Sequence, residues 1–128
     1  MKGLFDNHNH SQFSFDGKKT TVESSALAAK EKGLGGICFS DHCDFYVPPM
    51  KASFEDLVPE HFDITQQQAE IDRIRALTGD RFKILKGIEI GMYDECRDQI
   101  RKVLSDNTFD QVIASVHYIE QTDPYYGG

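Results

Sequence analysis

The sequence predicts an α/β chain built on a parallel sheet. Three observations carry this: short apolar runs alternate with longer amphipathic stretches, each such stretch separates one run from the next, and no two runs lie close enough to form a hairpin. Parallel neighbours need long crossover connections, and the pattern supplies one after each of the first three strands. At 128 residues, 39% hydrophobic and 27% charged, the chain suits one domain with a modest core.

The first strand is expected over Leu4–His8, followed by a polar loop that turns at Gly17. Thr20 and Glu23 form a capping-box signature for a helix to about Lys32, with Val22, Ala26 and Ala29 at helical spacing. Gly33 and the Gly35-Gly36 pair end it, and Ile37–Ser40 is the second strand. Residues 43 to about 60 carry Pro48, Pro49 and Pro59 and form the longest irregular stretch, the kind of loop that is usually functional or mobile. A second helix runs from about Phe62 to Leu77, with Ile64, Ile71 and Ile74 on one face and Gly79 closing it. Phe82–Ile90 reads as the third strand and about Asp94–Leu104 as the third helix, its buried stripe being Cys96, Ile100, Val103 and Leu104. Phe109–Val116 is the fourth strand.

Charge and cysteine usage exclude several classes. A formal net charge of -7 argues against a nucleic-acid or anionic-membrane partner, both of which call for a basic face. It leaves an anionic substrate open, because bound divalent cations reverse the local field. Three cysteines (Cys38, Cys43, Cys96) make no paired framework and point to a reducing cytoplasm. No secretory h-region develops after Met1, and no apolar stretch approaches the length of a membrane-spanning helix. Gly33-Leu34-Gly35-Gly36 precedes a strand instead of opening a helix, so it is no dinucleotide fingerprint.

The chemistry lies at the strand ends. His8 and His10 follow the first strand as His-x-His, and alternate residues of extended backbone point the same way, so both imidazoles can reach one ion. His42 comes just past the second strand, Glu89 near the end of the third, and His117 just past the fourth. Four successive strands thus bring a ligand to their C-terminal ends, the active-site face of parallel α/β folds, and only His61 of the five histidines lies elsewhere. Singly, each has a plainer reading: a hydrogen-bonded strand-end histidine, or an ion-paired core glutamate. Together they do not, because a core has no reason to place buried polarity at every strand end. Mixed nitrogen and carboxylate ligands suit zinc, manganese or iron.

Four ordered motifs resemble the polymerase-and-histidinol-phosphatase (PHP) family. Asp6-Asn7-His8-Asn9-His10-Ser11-Gln12-Phe13-Ser14-Phe15-Asp16-Gly17 resembles its opening motif, and Phe39-Ser40-Asp41-His42-Cys43-Asp44 its second. Gly87-Ile88-Glu89-Ile90-Gly91 resembles the third, and the run from Phe109 to His117 the fourth. Ser14-Phe15-Asp16-Gly17 and Ser115-Val116-His117-Tyr118 are most similar to the histidinol-phosphatase branch. The resemblance implies a distorted seven-stranded (β/α) barrel of TIM-like form, of which about four β/α units are present, with up to three divalent metal ions. It implies that His8, His10 and Glu89 bind one ion, that Glu89 bridges to a second held also by His117, and that Asp16 and His42 contribute to a third. His8, His10, Glu89 and His117 would then act in catalysis through the bound metals. Asp41, beside His42, would either orient an imidazole or be a polar strand-end residue satisfied by backbone.

The family's further ligands, another histidine and an Asp-x-His pair, have no counterpart after His117. The expectation is therefore a truncated PHP domain over residues 1–128, lacking the C-terminal half of the barrel, with open sheet edges that a second copy would cover. The expected activity is metal-dependent hydrolysis of a small phosphomonoester, L-histidinol phosphate in histidine biosynthesis, with the activity of the isolated chain left open. The alternatives are an amidohydrolase-like metal-dependent hydrolase, since those barrels also open with His-x-His, and a non-catalytic metal-binding PHP module.

Overall fold

The computed structural model describes residues 3–14, 16–17, 19–45 and 61–116. Their order is β1 (Phe5–Asn9), α1 (Val22–Glu31), β2 (Gly36–Cys43), α2 (Ile64–Thr78), β3 (Lys83–Gly91), a 3-10 turn (Asp94–Cys96) leading into α3 (Arg97–Asp106), and β4 (Gln111–Ser115). The strands form one sheet in the order β1-β2-β3-β4, every neighbouring pair parallel, so each helix is a crossover.

Side-chain alternation gives the sheet two chemically different faces. On the helix side, Ile37 and Phe39 of β2 and Ile84 of β3 pack with Val22, Ala26 and Ala29 of α1 and Ile71 and Ile74 of α2. Nearer the C-terminal ends, Cys43, Ile88 and Ile90 pack with Phe62, Cys96 and Ile100. The intervening residues, among them Ser40 and His42 on β2 and Gly87 and Glu89 on β3, face the other way.

Several boundaries differ from the sequence reading. The polar pair Asp41-His42 does not end β2: pairing with β3 continues through His42↔Glu89 and Cys43↔Ile90, so His42 lies within the strand. The capping box sits one residue later than expected. The Thr21 side chain accepts the Ser24 N–H at 3.0 Å and the Ser24 hydroxyl accepts the Thr21 N–H at 2.9 Å, a serine doing what the box asks of Glu23. The Thr20 hydroxyl donates to Gly17 O (3.2 Å) and His10 O (3.3 Å) instead, tying the helix start to the loop after β1. The 3-10 turn breaks the helical register ahead of α3; of the predicted apolar stripe Cys96 and Ile100 are buried, Val103 packs half-buried against their cluster, and Leu104 is 38% exposed. Helix α2 starts later than expected, with Asp63 as N-cap accepting the Gln66 N–H (3.0 Å), and it ends as predicted at Gly79, whose φ of 81° favours glycine. β4 is shorter than predicted at each end.

Strand β1 carries an irregularity that matters for the site. From Asp6 to Asn9 it advances three residues while β2 advances two, from Ile37 to Phe39, as in a bulge. The Asp6 carboxylate holds this bend, accepting the His8 N–H (3.3 Å) and the Asn9 side-chain amide (2.9 Å).

Candidate metal centre

Three strand ends and the loop after β1 bring five donor groups together. His8 comes from the bend in β1 and His10 from just beyond it. His42 and Glu89 are register partners on adjacent strands, and Asp16 comes from the loop. Gly17 lets that loop fold back, because a Cβ there would run into the Ser11 carbonyl oxygen.

The donor atoms lie close enough to share ions. His8 Nε2 is 3.2 Å from His10 Nε2 and 2.5 Å from Glu89 Oε1, which is itself 3.8 Å from His10 Nε2. His10 Nδ1 is 3.0 and 2.9 Å from the two oxygens of Asp16, and His42 Nε2 is 3.1 Å from Asp16 Oδ2. Glu89 reaches both sets, since its Oε2 is 2.6 Å from His42 Nδ1. Two groups thus present their donor atoms within 4.8 Å of one another: His8, His10 and Glu89, and His10, Asp16 and His42. Imidazole nitrogens and carboxylate oxygens in groups of three, with room for further ligands, form a donor set that fits a borderline divalent cation. A pocket of about 430 Å³ opens beside them, lined by His8, Asn9, His10, Asp16, Gly17, Thr20 and Ser25.

The electrostatics follow from burial and pairing. Burial pulls the His10 imidazole down, but hydrogen bonds and charge from Asp16 and Glu89 outweigh it and raise its pKa to about 9. The same contest lifts His42. Burial pushes the Asp16 carboxyl up, but bonding with His10, His42 and Ser14 outweighs it and holds Asp16 well below the usual carboxylate range. The acids hold these imidazoles in their charged form, and a cation bound there would take the imidazoles neutral and release those protons. Ser14, itself buried, couples two of the groups by donating to Asp16 Oδ1 (2.7 Å) and accepting the His42 N–H (3.2 Å). The sequence reading missed Ser14, and its place within Ser14-Phe15-Asp16-Gly17 was the available signal.

Of the predicted site residues, His8, His10, Asp16, His42 and Glu89 meet in one cluster, while His117 lies outside the described residues. Asp41 is brought elsewhere. As the residue before His42 in an extended strand it points to the helix side, where it accepts from the Ser11 N–H (2.5 Å), the Ser11 hydroxyl (2.7 Å) and the Gln67 amide (2.9 Å), none of them an imidazole. Cys38, Cys43 and Cys96 are free and buried. Burial, with nearby acidic charge, pushes the Cys38 and Cys43 thiols up to about 12. Cys43 packs on the helix side with Ile88, Ile90 and Phe62, on the face opposite His42 and Glu89. No helix among the described residues is long and apolar enough to cross a membrane.

The result is an α/β domain with a nitrogen-and-oxygen donor cluster at the C-terminal edge of a parallel sheet. Residues 6–128 match the PHP domain, and the chain belongs to the PHP family. It is 38% identical over 127 residues to a histidinol-phosphatase of Lactococcus lactis, covering 99% of this chain and 44% of that protein. It is 34% identical over 122 residues to a probable histidinol-phosphatase of Clostridium acetobutylicum, covering 95% and 42%. Among solved structures, the histidinol phosphate phosphatase of Lactococcus lactis, crystallised with zinc, L-histidinol and phosphate, superposes with a TM-score of 0.82 at 30% identity over 96% of this chain and 43% of that one. A putative histidinol phosphatase from Listeria monocytogenes, at 19% identity and a TM-score of 0.75, shares the fold. The chain therefore spans less than half the length of the relatives it matches.

Proposed function

We propose that this chain forms the first part of the active site of a metal-dependent phosphomonoesterase acting on L-histidinol phosphate. The observation that carries the reading is the convergence of His8, His10, Asp16, His42 and Glu89 at the tips of adjacent parallel strands, in a chain 38% identical to a histidinol-phosphatase. His8, His10 and Glu89 would hold one ion, with zinc, manganese and iron all compatible with the donor set. Asp16 and His42 would serve a neighbouring ion, and His117 would join Glu89 at another. Divalent ions there supply Lewis acidity toward phosphoryl oxygens and make water a nucleophile near neutral pH.

The chain's own residues supply position and charge. Glu89, with an oxygen toward His8 and the other toward His42, fixes the separation of the two donor groups. His10 turns Nε2 toward His8 and Nδ1 toward Asp16, so the Asp16 carboxylate sets the plane of its ring. The pocket beside His8, Asp16 and Thr20 gives an anionic substrate its approach to these groups. The remaining ligands and the basic residues for the phosphate would come from the part of the barrel beyond this half.

A second reading is favoured by the coverage of 44% of the Lactococcus relative: taken alone, residues 1–128 would be a metal-binding module without turnover. One assay addresses both, namely phosphate release from L-histidinol phosphate with zinc or manganese supplied. It is run on the longer protein that carries this sequence, on its Glu89→Gln variant, and on residues 1–128 alone. The expected result is release by the longer protein, reduced in the variant by more than the roughly 10–100-fold lost with a residue that only supports a metal ligand, because Glu89 would itself be a ligand. No release by the longer protein would overturn the substrate assignment. Metal uptake without release by residues 1–128 is the outcome expected of the module.

A further inference from the structure

One buried polar node lies behind the donor cluster, on the helix side of the sheet, and it touches the loop after β1, β2 and β3. We infer that Ser11, Asp41 and Gln67 are positioning residues that set the spacing of the metal-binding groups, an inference that rests on the metal-site reading above. Asp41 Oδ1 accepts the Ser11 N–H (2.5 Å), and Asp41 Oδ2 accepts the Ser11 hydroxyl (2.7 Å) and the Gln67 side-chain amide (2.9 Å). The same amide nitrogen of Gln67 lies 3.3 Å from both Phe39 O and Gly87 O. Ser11 directly follows His10, Asp41 directly precedes His42, and Gly87 stands two residues before Glu89. Gln67 of α2 therefore joins β2 and β3 directly, and Asp41 links that junction to the loop after β1, at the level of their donor residues.

Two observations separate this node from ordinary packing. Ser11, Asp41 and Gln67 are all fully buried, and the other helix-side positions of β2 near Asp41 hold Phe39 and Cys43. A carboxyl buried among them costs desolvation that a hydrophobic residue would avoid. Moreover, Gln67 keeps its amide nitrogen on Asp41 and the two carbonyls while its own Oε1 is buried without a hydrogen-bond partner among the described residues. Flipping the amide to satisfy that oxygen would turn it away from all three acceptors. The side chain is thus held in the orientation that clamps the strands, at the expense of its own oxygen.

The test is a cobalt(II) titration followed by visible absorption, which reports both affinity and coordination geometry, on the 128-residue chain and on Ser11→Ala, Asp41→Asn and Gln67→Met. All three variants keep every proposed ligand, and Ile74→Val serves as control because Ile74 is buried in the α1–α2 cluster. The expected result is cobalt binding weakened about 10-fold or more with an altered visible spectrum in variants whose circular dichroism and melting remain those of a folded chain, while Ile74→Val keeps the parent affinity and spectrum. Should Asp41→Asn fail to fold, Ser11→Ala and Gln67→Met decide. Parent affinity and spectrum in those two variants, or an equal loss in Ile74→Val, would overturn the positioning role. No cobalt uptake by the parent chain would overturn the metal-site reading itself, and this inference with it.

Discussion

His10 stands where the two donor groups meet, one ring nitrogen toward His8 and the other toward Asp16. Its pKa, raised from the ordinary 6.5 to about 9, makes the metal-free cluster sensitive to pH. A raised folded-state pKa contributes stability that is fully present below 6.5 and is lost as pH rises through about 9, and His42 adds to it in the same direction. Asp16 is depressed, so its contribution is present above the ordinary 3.8 and is lost as pH falls below that value. In chelator, the melting temperature should therefore decline between pH 6.5 and 9, and His10→Gln should flatten that decline. The cysteine thiols do not produce it, since Cys38 and Cys43 begin from an ordinary value of 9.0 and are raised to about 12. A melting temperature that stays level over that interval in the parent chain would contradict the ion pairing. At this scale the donors were legible, because histidines are few and four of the five fall at predicted strand ends. Asp16 was legible only through its family motif, since an aspartate before a glycine otherwise reads as a turn.

The strand is the element that sorts these residues, and its two-residue period explains both what was readable and what was not. Glu89 lies between Ile88 and Ile90, which are buried on the helix side, so the acid must face away from the helices. The same rule, applied to Asp41 and His42, assigns them to opposite faces. Placing β2's end at Ser40 hid this, because the strand's continuation depends on pairing with β3, a long-range contact with no local signal. The bend in β1 was likewise invisible, as it is defined only by register against β2. Faces that divide the labour in this way should respond separately to mutation. Ile88→Val should cost about 0.5–1.5 kcal/mol in urea denaturation, the usual loss for removing one buried methyl group, and leave zinc stoichiometry unchanged. A fall in stoichiometry with no loss of stability would show that the two faces are not independent.

Across the whole molecule, the crossover pattern was enough to predict the four-stranded parallel sheet, because amphipathic stretches between apolar runs leave no other connection. The sheet ends at β1 and β4 among the described residues, and Val112 on β4 is 45% exposed. In the relatives this stretch is 42 to 44% of the protein. Its defining property is that residues distant in sequence meet at one edge of the sheet. Anomalous diffraction from crystals grown with zinc tests this most directly. The expected peak lies between His8, His10 and Glu89, with nitrogen and oxygen ligands at about 2.0–2.2 Å. Zinc on a cysteine sulfur, or at a position out of reach of Glu89, would contradict it.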